Sequence, residues 1–325
     1  MPRCATASTR RRFRRCWGHE GAGVVEAVGR AVSRVRPGDA VVLSVAYCTH
    51  CSQCLAGNMA YCENLFAEDF GGRRSDGSTS LSPQDGSVVS SHFFGQSSFS
   101  TYANVVESSV VPVSASAPLE ILAPLGCGMQ TGAGAVLDEL RPQAGSSFAV
   151  SGAGAVGLAA VMTARLAGCS PLIAIDLHDS RLEPALELGA THVVNARNTD
   201  VRAELMRITA GRGVNYILDT TALPTVLTAL ARALSIRGTL GLVGSGPAGT
   251  EVPFEIGESL VKGWTFKTII QGSSVPQLFV PRLAELWEQD RFPFDKLIKH
   301  YPFEDINTAL ADSESGDPVK PVLVF

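Results

Sequence analysis

Four cysteines, Cys48, Cys51, Cys54 and Cys62, fall in the pattern C-x2-C-x2-C-x7-C. Thiolates at that spacing can converge tetrahedrally on one zinc ion from a single loop, and four sulfurs leave no position open for a reacting molecule. A coincidental cluster, a redox pair and an iron–sulfur centre are the other chemistries open to the same residues. Two more candidates lie apart from this loop. His19 in GHEGAG and Cys127 in LGCGMQTG are flanked by glycines that let backbone come close. They suit a catalytic metal, which takes about three protein ligands and an open position. Glu20 adds a carboxylate as an exchangeable or supporting ligand. Taken singly, a His-Glu pair is ordinarily a surface pair, and a cysteine before a helix is a packed small residue; the combination raises both.

A third constellation is Gly152-Ala153-Gly154-Ala155-Val156-Gly157. It follows an apolar run of strand type and opens a helical one. The glycines then permit a tight turn, close approach to a pyrophosphate, and close helix packing. The next strand ends in Asp176, whose carboxylate can accept both hydroxyls of an adenosine ribose and would repel a 2'-phosphate, favouring NAD over NADP. The bland alternative is a glycine turn that binds nothing, with Asp176 as a helix cap.

The elements that must position these groups are of two kinds. From Gly21 to Val45 short β-branched runs alternate with turn residues, as in a small barrel. Residues 66–91 read as a long surface loop, and FFGQSSFSTYANVV then regains strand character. Beyond Leu122 strands alternate with helices: FAVSGAG, GLAAVMTARLAG, LIAIDL, SRLEPALELGA, THVVN, Val201 to Thr209 and YILDTT. That alternation predicts an α/β fold with a doubly wound parallel sheet. The expected division is 1–122, 123–267 and a returning segment 268–325. With 45% hydrophobic and 18% charged residues and a net charge of -4, nothing points to nucleic acid. The longest uncharged stretch, Phe148 to Ala164, is glycine-punctuated and shorter than the roughly 20 residues of a membrane span. Without a secretory signal the eight cysteines are expected to be reduced and the chain cytoplasmic.

Together GHEGAGVVEAVG, the four-cysteine loop, LGCGMQTGAGAV, GAGAVGLAAV and IDLHDSRLEPALELGATHVVN resemble the zinc-containing medium-chain alcohol dehydrogenases, over essentially everything after Trp17. FFGQSSFSTYA, GGRRSDGS and RFPFDKLIKHYPFEDINTAL are similar to their aryl-alcohol (benzyl alcohol) branch. The resemblance implies a GroES-like β-rich catalytic domain beside a Rossmann domain, and hydride transfer between a primary alcohol and NAD with zinc as Lewis acid. It implies that His19 and Cys127 hold catalytic zinc with Glu20 beside them, and that Cys48, Cys51, Cys54 and Cys62 hold structural zinc. It further places Thr131 against the nicotinamide, Arg181 with Asp176 at the ribose, Lys320 where relatives carry a phosphate-binding Arg, and Phe93 in the alcohol pocket. The resemblance also implies a small alcohol or aldehyde as partner and a homodimer or homotetramer, and nothing suggests a membrane or nucleic-acid partner.

One departure stands out. Relatives supply a first zinc ligand in a Cys-His-Thr-Asp-like motif some forty residues before GHE, and no such segment is present. MPRCATASTRRRFRRCW carries six arginines and no acid, and its Cys4 and Cys16 lack the motif. Back-translation with GC-rich codons, read one base earlier, gives a peptide like the relatives' approach to GHE. The expectation is a frameshifted or truncated start; an organelle-targeting peptide is the rival. A missing segment would leave a sheet edge unpaired and lower stability. Two further readings stay open: a non-catalytic NAD- and zinc-binding remnant, and a zinc-free quinone or enoyl reductase, against which the four-cysteine loop argues.

Overall fold

The computed structural model describes residues 14–74, 76–81, 89–316 and 318–325. The arginine-rich opening up to residue 13, Cys4 included, lies outside them. Alternating apolar and helical stretches build a six-stranded parallel sheet in the order Thr265–Thr268, Leu234–Leu242, Val214–Asp219, Phe148–Ser151, Leu172–Asp176, His192–Asn195. Phe148–Ser151 and Leu172–Asp176 are buried throughout, which is why they read as continuous apolar runs rather than alternating ones. The strand order reverses beside Phe148–Ser151, the kind of crevice where open α/β sheets bind ligands. No helix among the described residues is long and apolar enough to cross a membrane.

Ahead of this sheet, Ala22–Val24, Ala40–Leu43 and Val110–Pro112 form a small antiparallel sheet. The strand Ala40–Leu43 is a platform for the site. Leu43 N–H donates to the Gly21 carbonyl at 2.8 Å. On the same residue, Gly126 packs so tightly that a Cβ there would lie 2.0 Å from the Leu43 oxygen.

Two expectations need correction. The stretch 66–91 is not loop throughout, because Phe66–Phe70 forms a π-helical turn that buries Asp69 completely. Polar, glycine-rich neighbours hid that turn from periodicity. FFGQSSFSTYANVV is not a strand either. Phe93–Gly95 is a 3-10 turn entered through left-handed His92, with Phe94 and Ser97 also at positive φ. Its polar groups bond across the fold instead of along a ladder: Ser97 Oγ donates to the Cys16 carbonyl at 2.7 Å and Ser98 N–H to the Gly18 carbonyl at 3.1 Å.

The helix Gly128–Gly134 is buried throughout and lies against Ala155–Leu166. At Gly132 a Cβ would meet the Val156 carbonyl at 2.0 Å and Ala160 N at 3.0 Å. Backbone cannot yield as a side chain can, so Gly132→Ala is expected to destabilise the protein by about 2–3 kcal/mol. Urea melts check this, and an unshifted midpoint would show that the two helices separate freely.

Candidate functional site

The four cysteine sulfurs lie within 4.8 Å of one another. Cys48 and Cys54 are 4.0 Å apart, as are Cys51 and Cys62. Tetrahedral thiolates on zinc sit about 3.8 Å from each other, given Zn–S near 2.3 Å. Backbone N–H groups point at three of the sulfurs: Cys51 N to Cys48 Sγ and Cys48 N to Cys62 Sγ at 3.4 Å, Cys54 N to Cys51 Sγ at 3.5 Å. Against its burial, the backbone N–H groups of His50 and Cys51 and the side chains of Asn64 and Cys62 bring the Cys48 thiol down to about 6. Burial pushes Cys54 up to about 12. Loop geometry and donor chemistry both fit a tetrahedral, closed zinc site.

His19, Glu20 and Cys127 are the second group whose ligand atoms fall within 4.8 Å of one another. They are 108 residues apart in sequence, and the common platform at Leu43 unites them. Glu20 Oε1 accepts the Gly128 N–H at 2.7 Å, and its Oε2 pairs with Lys320 Nζ. Burial works to raise this carboxyl, but Lys320, His19 and the Gly128 N–H outweigh it and hold it below the ordinary range. Burial and, after it, the Glu20 charge push the Cys127 thiol up to about 12, against the Gln271 and Thr131 side chains. Burial also lowers His19, keeping its imidazole neutral. A neutral imidazole, a carboxylate and a thiol that gives up its proton to a cation form a donor set suited to zinc. Cys16 is not in this group; its thiol faces the Ser97 and Phe99 carbonyls at 3.5 and 3.6 Å.

Rings surround His19. Phe93 stands edge-on at 5.6 Å and Phe94 tilts over it at 4.7 Å, while Phe70 contacts both phenylalanines at 6.0 and 5.2 Å. Trp17 meets Phe93 at 4.9 Å.

The glycine loop lies next door, since Gly128 is also beside Val156. Gly152 has φ +90 and a Cβ there would strike Thr220 Oγ1 at 2.2 Å; a Cβ on Gly157 would lie 1.8 Å from the Gly152 carbonyl. At Gly154 it would meet nothing within 4 Å among the described residues. Two of the glycines are therefore required by packing, and the third fronts open space at the start of a twelve-residue helix, where a pyrophosphate could approach. Asp176 accepts N–H bonds from Ala153 at 2.8 Å, Leu177 at 2.7 Å and His178 at 3.0 Å. Arg181 stands 4.0 Å from it. Lys320 turns to Glu20, and Thr131 is buried on the helix that begins after Cys127.

Residues 5–115 match the alcohol dehydrogenase GroES-like domain, and residues 155–287 match the zinc-binding dehydrogenase domain. The chain is 42% identical to a geraniol dehydrogenase of Castellaniella defragrans over 95% of its own length and 83% of the relative's. It belongs to the zinc-containing medium-chain alcohol dehydrogenases. Among solved structures, an alcohol dehydrogenase zinc-binding domain protein from Burkholderia ambifaria superposes with a TM-score of 0.92 at 51% identity. The benzyl alcohol dehydrogenase of Acinetobacter calcoaceticus does so with 0.91 at 44% identity. Each comparison covers 95% of this chain and 83% of the other. The two-domain α/β fold of this alcohol dehydrogenase family is thus the one present here.

Several residues of this dehydrogenase escaped sequence reasoning. Gln96 clasps the GHE segment, its Oε1 accepting from Gly21 N and its Nε2 donating to the His19 carbonyl, both at 3.1 Å. Gln130 Nε2 donates to Ser44 Oγ at 2.6 Å, and Gln271 Nε2 donates to Cys127 Sγ at 3.3 Å. Gln96 and Gln130 lie inside quoted motifs, so their polarity in apolar surroundings was a usable signal. For Gln271, Phe70 and Asp69 there was none.

Proposed function

We propose that this protein oxidises a primary alcohol bearing an aryl or allylic group to the aldehyde, or runs the reverse reaction, with NAD as hydride carrier. The observation that carries the reading is the convergence of His19, Glu20 and Cys127 within 4.8 Å, beside the open face of Gly154 and under a ring cluster. The names of the relatives, geraniol and benzyl alcohol dehydrogenases, support the substrate class. His19 and Cys127 would hold a catalytic zinc with Glu20 at its edge, and Cys48, Cys51, Cys54 and Cys62 a structural one. Bound zinc supplies Lewis-acid polarisation of the alcohol oxygen.

The chain's own groups do the rest by positioning. Gly154 and the N–H groups opening the Ala155–Leu166 helix cradle the pyrophosphate. Asp176, with Arg181 beside it, accepts the ribose hydroxyls and disfavours a 2'-phosphate. Phe93, Phe94 and Phe70 cover the apolar part of the substrate and keep water from the reacting carbon, while Thr131 borders the nicotinamide. Lys320 neutralises Glu20, so the site does not carry an unpaired buried carboxylate.

One observation favours a second reading. Glu20 is held by both Lys320 and the Gly128 N–H, which leaves His19 and Cys127 as the freer donors among the described residues. The chain would then bind NAD and structural zinc yet turn over slowly. Zinc per chain by elemental analysis, together with NADH formation from benzyl alcohol and geraniol, separates the two. About two zincs with turnover is the expected result. One zinc without turnover selects the second reading, and faster reduction of NADP than NAD would sink the Asp176 assignment.

A further inference from the structure

We propose that Gln271 is a positioning residue of the candidate catalytic zinc site, its side-chain amide fixing the Cys127 sulfur where a metal needs it. The inference rests on the zinc reading of His19 and Cys127 given above. Gln271 is buried, and its Nε2 donates to Cys127 Sγ at 3.3 Å across 144 residues. Its Oε1 faces Gln130 Nε2 at 3.2 Å, an amide nitrogen whose two hydrogens are shared with Ser44 Oγ at 2.6 Å and the Gly126 carbonyl at 2.5 Å. With both ends of its amide engaged, Gln271 turns away only by giving up its contacts to Cys127 Sγ and Gln130 Nε2. An N–H aimed at sulfur fixes where the sulfur sits and how it faces, as a group that orients a metal ligand does.

The backbone is arranged to present this amide. Gln271, Gly272 and Ser273 all have positive φ, at +50, +66 and +53. Left-handed non-glycine residues persist only where the surroundings over-determine them. Here Gly272 is wedged on the helix that follows Cys127: a Cβ would lie 2.5 Å from the Gln130 carbonyl and 2.8 Å from Gly134 Cα. On its far side the turn is tied to the four-cysteine loop, where Tyr61, next to Cys62, shares a 2.8 Å hydrogen bond with Ser273 Oγ. Loosening the turn in general and removing the Gln271 donor are therefore separable perturbations.

Gln271→Met keeps length and bulk but has no N–H to offer; Ser273→Ala breaks the tie to Tyr61 and leaves Gln271 in place. Both are compared with wild type as holoenzymes, by zinc affinity in chelator competition and by the thiolate-to-metal charge-transfer band after cobalt substitution. In Gln271→Met one metal should bind about 10- to 100-fold more weakly with a shifted band, as expected for loss of a group that orients a ligand, while the other metal stays. Ser273→Ala should leave that affinity and band unchanged. Wild-type affinity and spectrum in Gln271→Met would overturn the proposal. So would an equal loss in Ser273→Ala, or loss of both metals in Gln271→Met, since either would make the turn merely structural. A wild type holding a single zinc would overturn the reading of His19 and Cys127 itself, and this inference with it.

Discussion

Cys127→Ser is expected to lower alcohol-dependent NADH formation by about a thousandfold or more, which corresponds to roughly 4 kcal/mol of lost transition-state stabilisation. Serine keeps the size of the side chain and its place before the Gly128–Gly134 helix, but its hydroxyl does not become an anionic ligand near neutral pH. The neighbouring Glu20 charge and the Lys320 pair remain, so the change isolates the sulfur. Zinc should fall by one per chain while the four-cysteine loop keeps its own. Retained turnover with retained zinc would mean that Cys127 is a packed thiol and that the chemistry lies elsewhere.

The second large effect concerns Asp69. It is fully buried; its Oδ1 accepts the Ala46 N–H at 3.0 Å, and its Oδ2 has no hydrogen-bond partner among the described residues. Burial pushes its carboxyl up to about 7 from 3.8, with the Ala46 N–H working against the shift. The folded protein therefore keeps a proton that the unfolded chain has released between about pH 4 and pH 7. Stability from this group is full below the unfolded value and is lost as pH rises through that window. Three pH units amount to on the order of 4 kcal/mol. Asp69→Asn cannot ionise and retains an acceptor for Ala46. It should be about as stable as wild type near pH 4 and more stable by roughly 2–4 kcal/mol at pH 8. Urea denaturation at both pH values checks this, and parallel pH slopes in the two proteins would rule the account out.

Asp69 also illustrates the limit of sequence reasoning. Its neighbours, a mixture of phenylalanines, acids and glycines, have no single period, and a π-helical turn leaves no regular spacing to detect. The same turn delivers Phe70 to the rings around His19, so its place in that cluster was out of reach as well.

What the sequence determined by itself is local. The four cysteines lie within fifteen residues, so their spacing alone brings the sulfurs onto one loop, and the sulfurs do cluster. Gly152, Gly154 and Gly157 span a single turn, and the strand and helix around them are set by short-range apolar patterning; strand, turn and helix all appear as expected. Motif resemblance extended this to the family and to the pairing of His19 with Cys127. Tertiary structure alone decided what holds those groups. The Leu43 platform joins segments more than a hundred residues apart, Lys320 reaches Glu20 from 300 residues away, and Gln271 reaches Cys127 from 144. Such contacts leave no periodic trace, because one polar side chain meeting one buried acceptor is a property of packed backbone positions rather than of neighbours in the chain.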